Sequence, residues 1–279
     1  MRPGAGRQLW TSLEWRLGLG LCLGLGLVAL GVSFGWLAPD WSRVSGDQWE
    51  AASATHWFGT NRLGQDIMSR ALAGTSTAFL VGSAVTAGAL LLGAALGGIA
   101  GWRTGGLLDE SLQYLMGVLD SIPIYLFAAA LAFAFGGGMT AITVAMVLSF
   151  WTSTARLVRA EVARLKAREF VLAARAIGLS MPLVLARHLL PNTVHILLVQ
   201  GTLTFVAATK TEVILSFLGI GSTEGVSWGM MLAESTQDLL AGHFGNFIAA
   251  SLLLFLLLLG LNLLADALQD AFDLREPAR

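Results

Sequence analysis

Six apolar runs, each long enough to cross a bilayer as a helix, leave this chain few folds to choose from. They extend from about Leu17 to Leu37, Ala78 to Gly101, Leu112 to Phe135, Thr140 to Val158, Thr193 to Leu218 and Phe247 to Ala265. Backbone N–H and C=O groups find no water in hydrocarbon, so such runs satisfy their polar groups internally, as helices of about 20 residues. The remainder is consistent with this: only 13% of residues are charged, where a soluble domain carries roughly a quarter. A water-soluble fold is excluded, and the expected class is an all-α, polytopic membrane protein with six transmembrane helices. The first run follows Arg2, Arg7 and Arg16 as a signal peptide would. It nevertheless has full spanning length, and no small-residue cleavage site follows before Pro39 and Asp40, so it is read as a retained first helix.

Lysine and arginine set the expected orientation. With the N-terminus inside, the inner side receives thirteen of the seventeen, namely Arg2, Arg7, Arg16, Arg103, Arg156, Arg159, Arg164, Lys166, Arg168, Arg175, Arg187, Arg275 and Arg279. The outer side receives Arg43, Arg62 and Arg70, and Lys210 falls in the fifth run. The positive-inside bias then puts both termini in the cytoplasm. The expected organisation is a cytoplasmic segment 1–16, a first helix 17–37, an extracytoplasmic segment 38–77, a core of five helices over 78–265 and a cytoplasmic tail 266–279. Within that core, Arg159 to Asn192 forms one long inner loop, and outer connections fall at the Gly136 to Gly138 turn and from Gly219 to about Asn246. Trp36, Trp41, Trp49 and Trp57 follow the first helix, which suits an outer segment lying at the headgroup layer.

A formal charge of -1 gives no basis for a nucleic-acid partner. The single Cys22 excludes an intrachain disulfide and a Cys-rich metal site. His56, His188, His195 and His243 are scattered, and none has the pair spacing of a metal centre. No covalent chemistry is evident, because neither a nucleophile with its base nor a phosphate-binding loop is present. The latter needs Gly-Lys followed by Ser or Thr, whereas Lys166 follows Leu165 and Lys210 follows Thr209.

The inner loop carries the most informative local pattern. Ala173, Ala174 and Ala176 favour a helix that Gly178 ends, and Ser180 with Pro182 suits the start of a second helix, which Pro191 and Asn192 then end. A short helix with small side chains, flanked by Arg164, Lys166, Arg168 and Arg175, fits a groove on a partner protein. A positive loop with no partner is the other reading. In the third run, Asp120 and Pro123 interrupt the apolar sequence, and a carboxylate at that depth faces the bundle interior or water. Lining a translocation path and bonding within a kinked helix are both open. Lys210 and Glu212 do not share a helix face, which favours separate anchoring roles, and Asp266, Asp270 and Asp273 recur at helical spacing on a wet inner face.

This loop resembles that of the transmembrane subunits of ABC importers, whose pattern is E-A-A, three residues, G, nine residues, then I-x-L-P. Ala173, Ala174, Gly178, Leu190 and Pro191 fall on it, with Leu172 in place of Glu and His188 in place of Ile. The stretch from His56 to Arg70 is similar to one in the second permease of dipeptide, oligopeptide and nickel importers, with Asn61 and Gln65 departing. Glu212 to Gly221 and Asn262 to Asp270 resemble further stretches of that branch, and Asp120 and Pro123 match positions it fills alike. The resemblance implies a type I ABC importer permease in the bacterial inner membrane. It implies a second, homologous permease, two cytoplasmic ATPase subunits that hold ATP and Mg, and an extracytoplasmic substrate-binding protein as partners. Glu169, Ala173, Ala174, Arg175, Gly178, Leu190 and Pro191 would then couple to the ATPases, and Asp120 and Pro123 would belong to the path. The cargo would be di- or oligopeptides or a related solute such as nickel. A secondary transporter or channel independent of ATPases is the alternative, although no inverted repeat is visible.

Overall fold

A computed structural model describes residues 12–221 and 225–272. Among them the regular structure is helical, apart from two isolated β-bridges, Val44 with Gln65 and Thr60 with Asp66. Arg2, Arg7, Asp273, Arg275 and Arg279 lie outside the described residues, as do most of the N-terminal segment and the end of the tail.

Helix α1 (Leu13–Ser33) is capped by Ser12, whose Oγ accepts from Trp15 N at 3.1 Å. Helix α2 (Ile67–Trp102) starts well before Ala78 because Asp66 caps it, accepting from both the backbone N and the Oγ of Ser69. Its 36 residues make it about 54 Å long, well beyond the hydrocarbon thickness. Then come α3 (Leu107–Asp120), α4 (Ile124–Ala134), α5 (Gly138–Leu165), α6 (Glu169–Ala176), α7 (Met181–Val184), α8 (Val194–Phe217), α9 (Trp228–Leu240) and α10 (Gly245–Phe272). Among the described residues five helical runs are long and apolar enough to cross a membrane, and six if α3 and α4 together count as one.

Two expectations about continuity are corrected. The third run is not one helix from Leu112 to Phe135, since α3 and α4 meet at 96°. Pro123 has no N–H to donate and its ring disfavours helical backbone at Ile122, so the helix stops and restarts with Pro123 as the N-cap of α4. Conversely, Pro191 and Asn192 do not end the second loop helix. From α7 the chain passes through a π turn (Leu185–Leu189) and a 3-10 turn (Leu190–Thr193) directly into α8, giving a continuous run Met181–Phe217. The missing proline N–H forces the change of winding. The loosened carbonyls are taken up by side chains: Asn192 Nδ2 donates to His188 O at 2.6 Å and Thr193 Oγ1 to Leu190 O at 2.8 Å.

The tightest helix contact is α2 on α5. A methyl added at Gly97 would enter Ala155 O, one at Gly93 would lie 2.5 Å from Thr154 Cβ, and one at Gly101 would lie 2.6 Å from Arg159 O. The two backbones therefore touch along the C-terminal half of both helices, as small residues allow in membranes. Leu25, Ile67, Trp228, Met231, Leu257 and Leu261 share one apolar cluster, where Trp228 Nε1 donates to Ala71 O at 2.9 Å. A separate cluster of Val158, Val162, Leu165, Val171, Ala174, Val184, Leu185 and Leu189 joins α5, α6, α7 and the π turn. The segment between α1 and α2 folds against α9, with Arg70 donating to both oxygens of Glu234 at 2.8 Å and Arg62 to Gln237 at 2.8 Å.

Candidate functional site

The loop helix α6 has two unlike faces. Val171 and Ala174 are buried in the chain's own cluster with Val158 and Val184, whereas Phe170, Ala173 and Ile177 share an exposed face. Spacings of three and four put each set on one side of a helix. Glu169 lies in the first turn and is exposed, where its charge suits the positive helix end.

Gly178 terminates α6 with φ +83°. Its N–H donates to Arg175 O at 3.0 Å, and Leu179 N–H reaches back to Ala174 O at 3.2 Å, the double bond pattern of a left-handed helix stop. No atom lies within 4 Å of a Cβ built there, so the glycine is required by backbone conformation and not by space. Ser180 does occupy the N-cap position of α7 with extended backbone, but its side chain makes no capping bond.

Side chains from α2 and α5 hold this loop. The Arg175 guanidinium lies 5.5 Å from the centre of the Trp102 ring, and Lys166 Nζ donates to Trp102 O at 2.9 Å. Arg164 forks onto Glu161 at 2.5 and 2.8 Å. Arg159 forks onto Asp109, which is 1% exposed and also accepts from Gly105 N, so the start of α3 is tied to α5 beside the loop. Arg168 and Arg187 are exposed and have no acidic partner among the described residues. Leu190 is half-buried and Pro191 exposed, both in the 3-10 turn. The outward face is thus apolar, with the unpaired guanidinium groups of Arg168 and Arg187 on the same loop.

Asp120 and Pro123 flank the break between α3 and α4. The Asp120 carboxylate is neither isolated nor bonded to backbone: it accepts from Thr152 Oγ1 at 2.9 Å and from Arg156 Nη2 at 2.5 Å, both on α5. Both members of the ion pair are about half exposed, with side chains 43% and 50% accessible. Lys210 is exposed, while buried Glu212 accepts from Ser216 Oγ at 2.6 Å, so the two have separate neighbours. Among the described residues no group of three or more His, Cys, Asp or Glu side chains is arranged to hold a metal ion.

Five or six membrane-length helices among the described residues, one of them broken, with a short helix packed at one end, describe a polytopic membrane subunit. The chain belongs to the family described as binding-protein-dependent transport system inner membrane component, which matches residues 90–276. Similar proteins include the dipeptide transport system permease protein DppC of Bacillus subtilis, 36% identical over 79% of this chain and 69% of that protein. The oligopeptide transport system permease protein OppC of the same organism is 32% identical over 95% of this chain and 90% of its own length. The glutathione transport system permease protein GsiD of Pectobacterium atrosepticum is 35% identical over 84% and 76%. The chain is thus a multi-pass inner membrane permease subunit of an ABC importer, with the all-α type I permease fold.

Proposed function

We propose that this permease translocates di- or oligopeptides, or a related small solute such as nickel, by alternating access driven by ATP hydrolysed in its partners. It pairs with a second, homologous permease above two ATPase subunits, which hold ATP and Mg, and receives cargo from an extracytoplasmic binding protein. The chain performs no hydrolysis itself. The observation that carries this reading is the construction of α6: its outward face of Phe170, Ala173 and Ile177 is free, while its inward face is packed onto α5 and α7. A push on α6 is therefore delivered to α5 and, through the continuous run Met181–Phe217, to α8. Glu169, Arg175, Gly178, Leu190 and Pro191 shape this transmission element, and Ala174 fixes its inner side. The names of the similar proteins support peptides as cargo.

Asp120 and Pro123 are assigned to the path, supported by their exposure at the break in the third span. In vesicles holding the whole complex, Gly178→Val is expected to keep ATP turnover while uptake falls by about tenfold, since a β-branched residue strains left-handed backbone by roughly 1–2 kcal/mol. Asp120→Asn is expected to alter uptake rate with assembly intact, because a half-exposed ion pair contributes at most about 1 kcal/mol to stability. Uptake that proceeds without the ATPase subunits would instead establish the secondary-transporter alternative. Cytoplasmic placement of the loop and both termini is supported by the Lys and Arg asymmetry. In a Cys22→Ser background, an impermeant thiol reagent on intact cells should label Ser53→Cys and spare Ser180→Cys, and labelling of the latter would reverse the orientation.

A further inference from the structure

A second built site lies at the opposite end of the molecule from α6. A cavity of about 270 Å³ opens between the outer segment and the turn joining α9 to α10. Asp238 lines it, 1% exposed, with Oδ1 accepting from Trp49 Nε1 at 2.9 Å and Oδ2 from Asn246 Nδ2 at 3.2 Å. Glu234, one turn earlier on α9, has the Arg70 guanidinium on both oxygens. Asp238 has no cationic partner among the described residues. Asn246, also 1% exposed, lines the same cavity, and its Oδ1 accepts no hydrogen bond. Glu50 adds a second carboxylate, which faces His56 Nδ1 at 3.4 Å.

These groups select a ligand class. Buried carboxylate without a counter-charge is unfavourable by several kcal/mol, so the cavity favours a cation and repels an anion. An unsatisfied amide oxygen calls for N–H donors, which an organic ammonium has and a methylated quaternary ammonium lacks. The mouth identifies the source. Trp57, Phe244 and Ile248 line it and are exposed, and Ile248 lies in the first turns of the spanning helix α10. Exposed aromatic side chains at the end of a spanning helix lie at headgroup depth, where the ammonium on offer is that of an ethanolamine phospholipid. Trp49 is held in the wall with φ +53°, a strained conformation for a bulky residue, and stacks on His243 at 5.1 Å.

We propose that this cavity binds the ammonium of a phosphatidylethanolamine headgroup, with Asp238, Glu50 and Asn246 Oδ1 as acceptors. The test uses the chain purified with its partner subunits in nanodiscs of equal parts phosphatidylethanolamine, phosphatidylglycerol and phosphatidylcholine, with retained lipid read by native mass spectrometry. The wild type should retain phosphatidylethanolamine over each of the others by about tenfold, the size of one charge-assisted contact. Asp238→Asn and Glu50→Gln, measured separately, should each bring that ratio toward unity. The second removes only a partly exposed charge and so reports even if the first variant fails to fold. Equal retention of all three lipids by the wild type, or a wild-type ratio in Glu50→Gln, overturns the proposal. Binding of ethylammonium from solution without selective retention of the lipid would also overturn it, by reassigning the cavity to a free amine.

Discussion

Replacing Gly97 with alanine is expected to remove most of the folded protein, whereas the same change at Gly98 should leave the yield unchanged. The added methyl at Gly97 meets backbone, Ala155 O and Cα, which cannot rotate away. At Gly98 the nearest atoms are the ends of Leu185 and Leu190, at 3.8 and 3.9 Å, an ordinary contact. Accommodating the first methyl requires α2 and α5 to separate along the face that also includes Gly93 and Gly101. Overpacking of this kind costs about 1–3 kcal/mol, and here the clash is with main chain, which puts the effect at the upper end. Monodisperse yield in detergent and the thermal midpoint of each variant check it. Matching midpoints for the two variants would mean that the contact between α2 and α5 is looser than described.

Tryptophan at Ala173 and tryptophan at Ala174 should fail in different ways. Ala174 is 5% exposed against Val158, Val162 and Leu185, so an indole there has no room and should disorder the loop within its own chain. Ala173 points outward, so the same side chain there leaves the subunit intact and obstructs whatever docks on α6. We expect Ala173→Trp to lower recovery of ATPase subunits in copurification by about tenfold, since a bulky group in a close-packed contact is strongly disfavoured. Ala174→Trp should reduce the amount and heat resistance of the permease before any partner is added. ATPase subunits copurifying with Ala173→Trp in wild-type proportion would exclude this face as the docking surface.

Much of this architecture is legible in one dimension because its causes are local. Span length follows from the need to satisfy backbone groups in hydrocarbon, and the stop at Gly178 follows from the tolerance of glycine for positive φ. Where reading along the chain stops short, the deciding partner is distant or the local signal has two outcomes. Proline breaks the third span at Pro123 yet is absorbed at Pro191, where the chain shifts to π and 3-10 winding and the side chains of Asn192 and Thr193 bond the neighbouring carbonyls of His188 and Leu190. The two alanines of the loop look alike in sequence, and only packing against α5 sends Ala174 inward and leaves Ala173 outside. Helix α9 and its pairs, Arg70 with Glu234 and Trp49 with Asp238, join residues more than 160 positions apart.

Uninterrupted winding from Met181 to Phe217 makes α7 and the fifth span one lever arm. Its 37 residues correspond to a length of about 55 Å at the usual helical rise. Pivoting such an arm by about 10° about one end carries the other through roughly 10 Å, by the same rise. Displacing its Met181 end, which the Gly178 turn joins to α6, would then swing the fifth span with no break between Met181 and Phe217. The π and 3-10 turns are the only places within that arm where the pitch changes. Stiffening them would raise the transmitted fraction of the stroke, and loosening them would convert it into local twist.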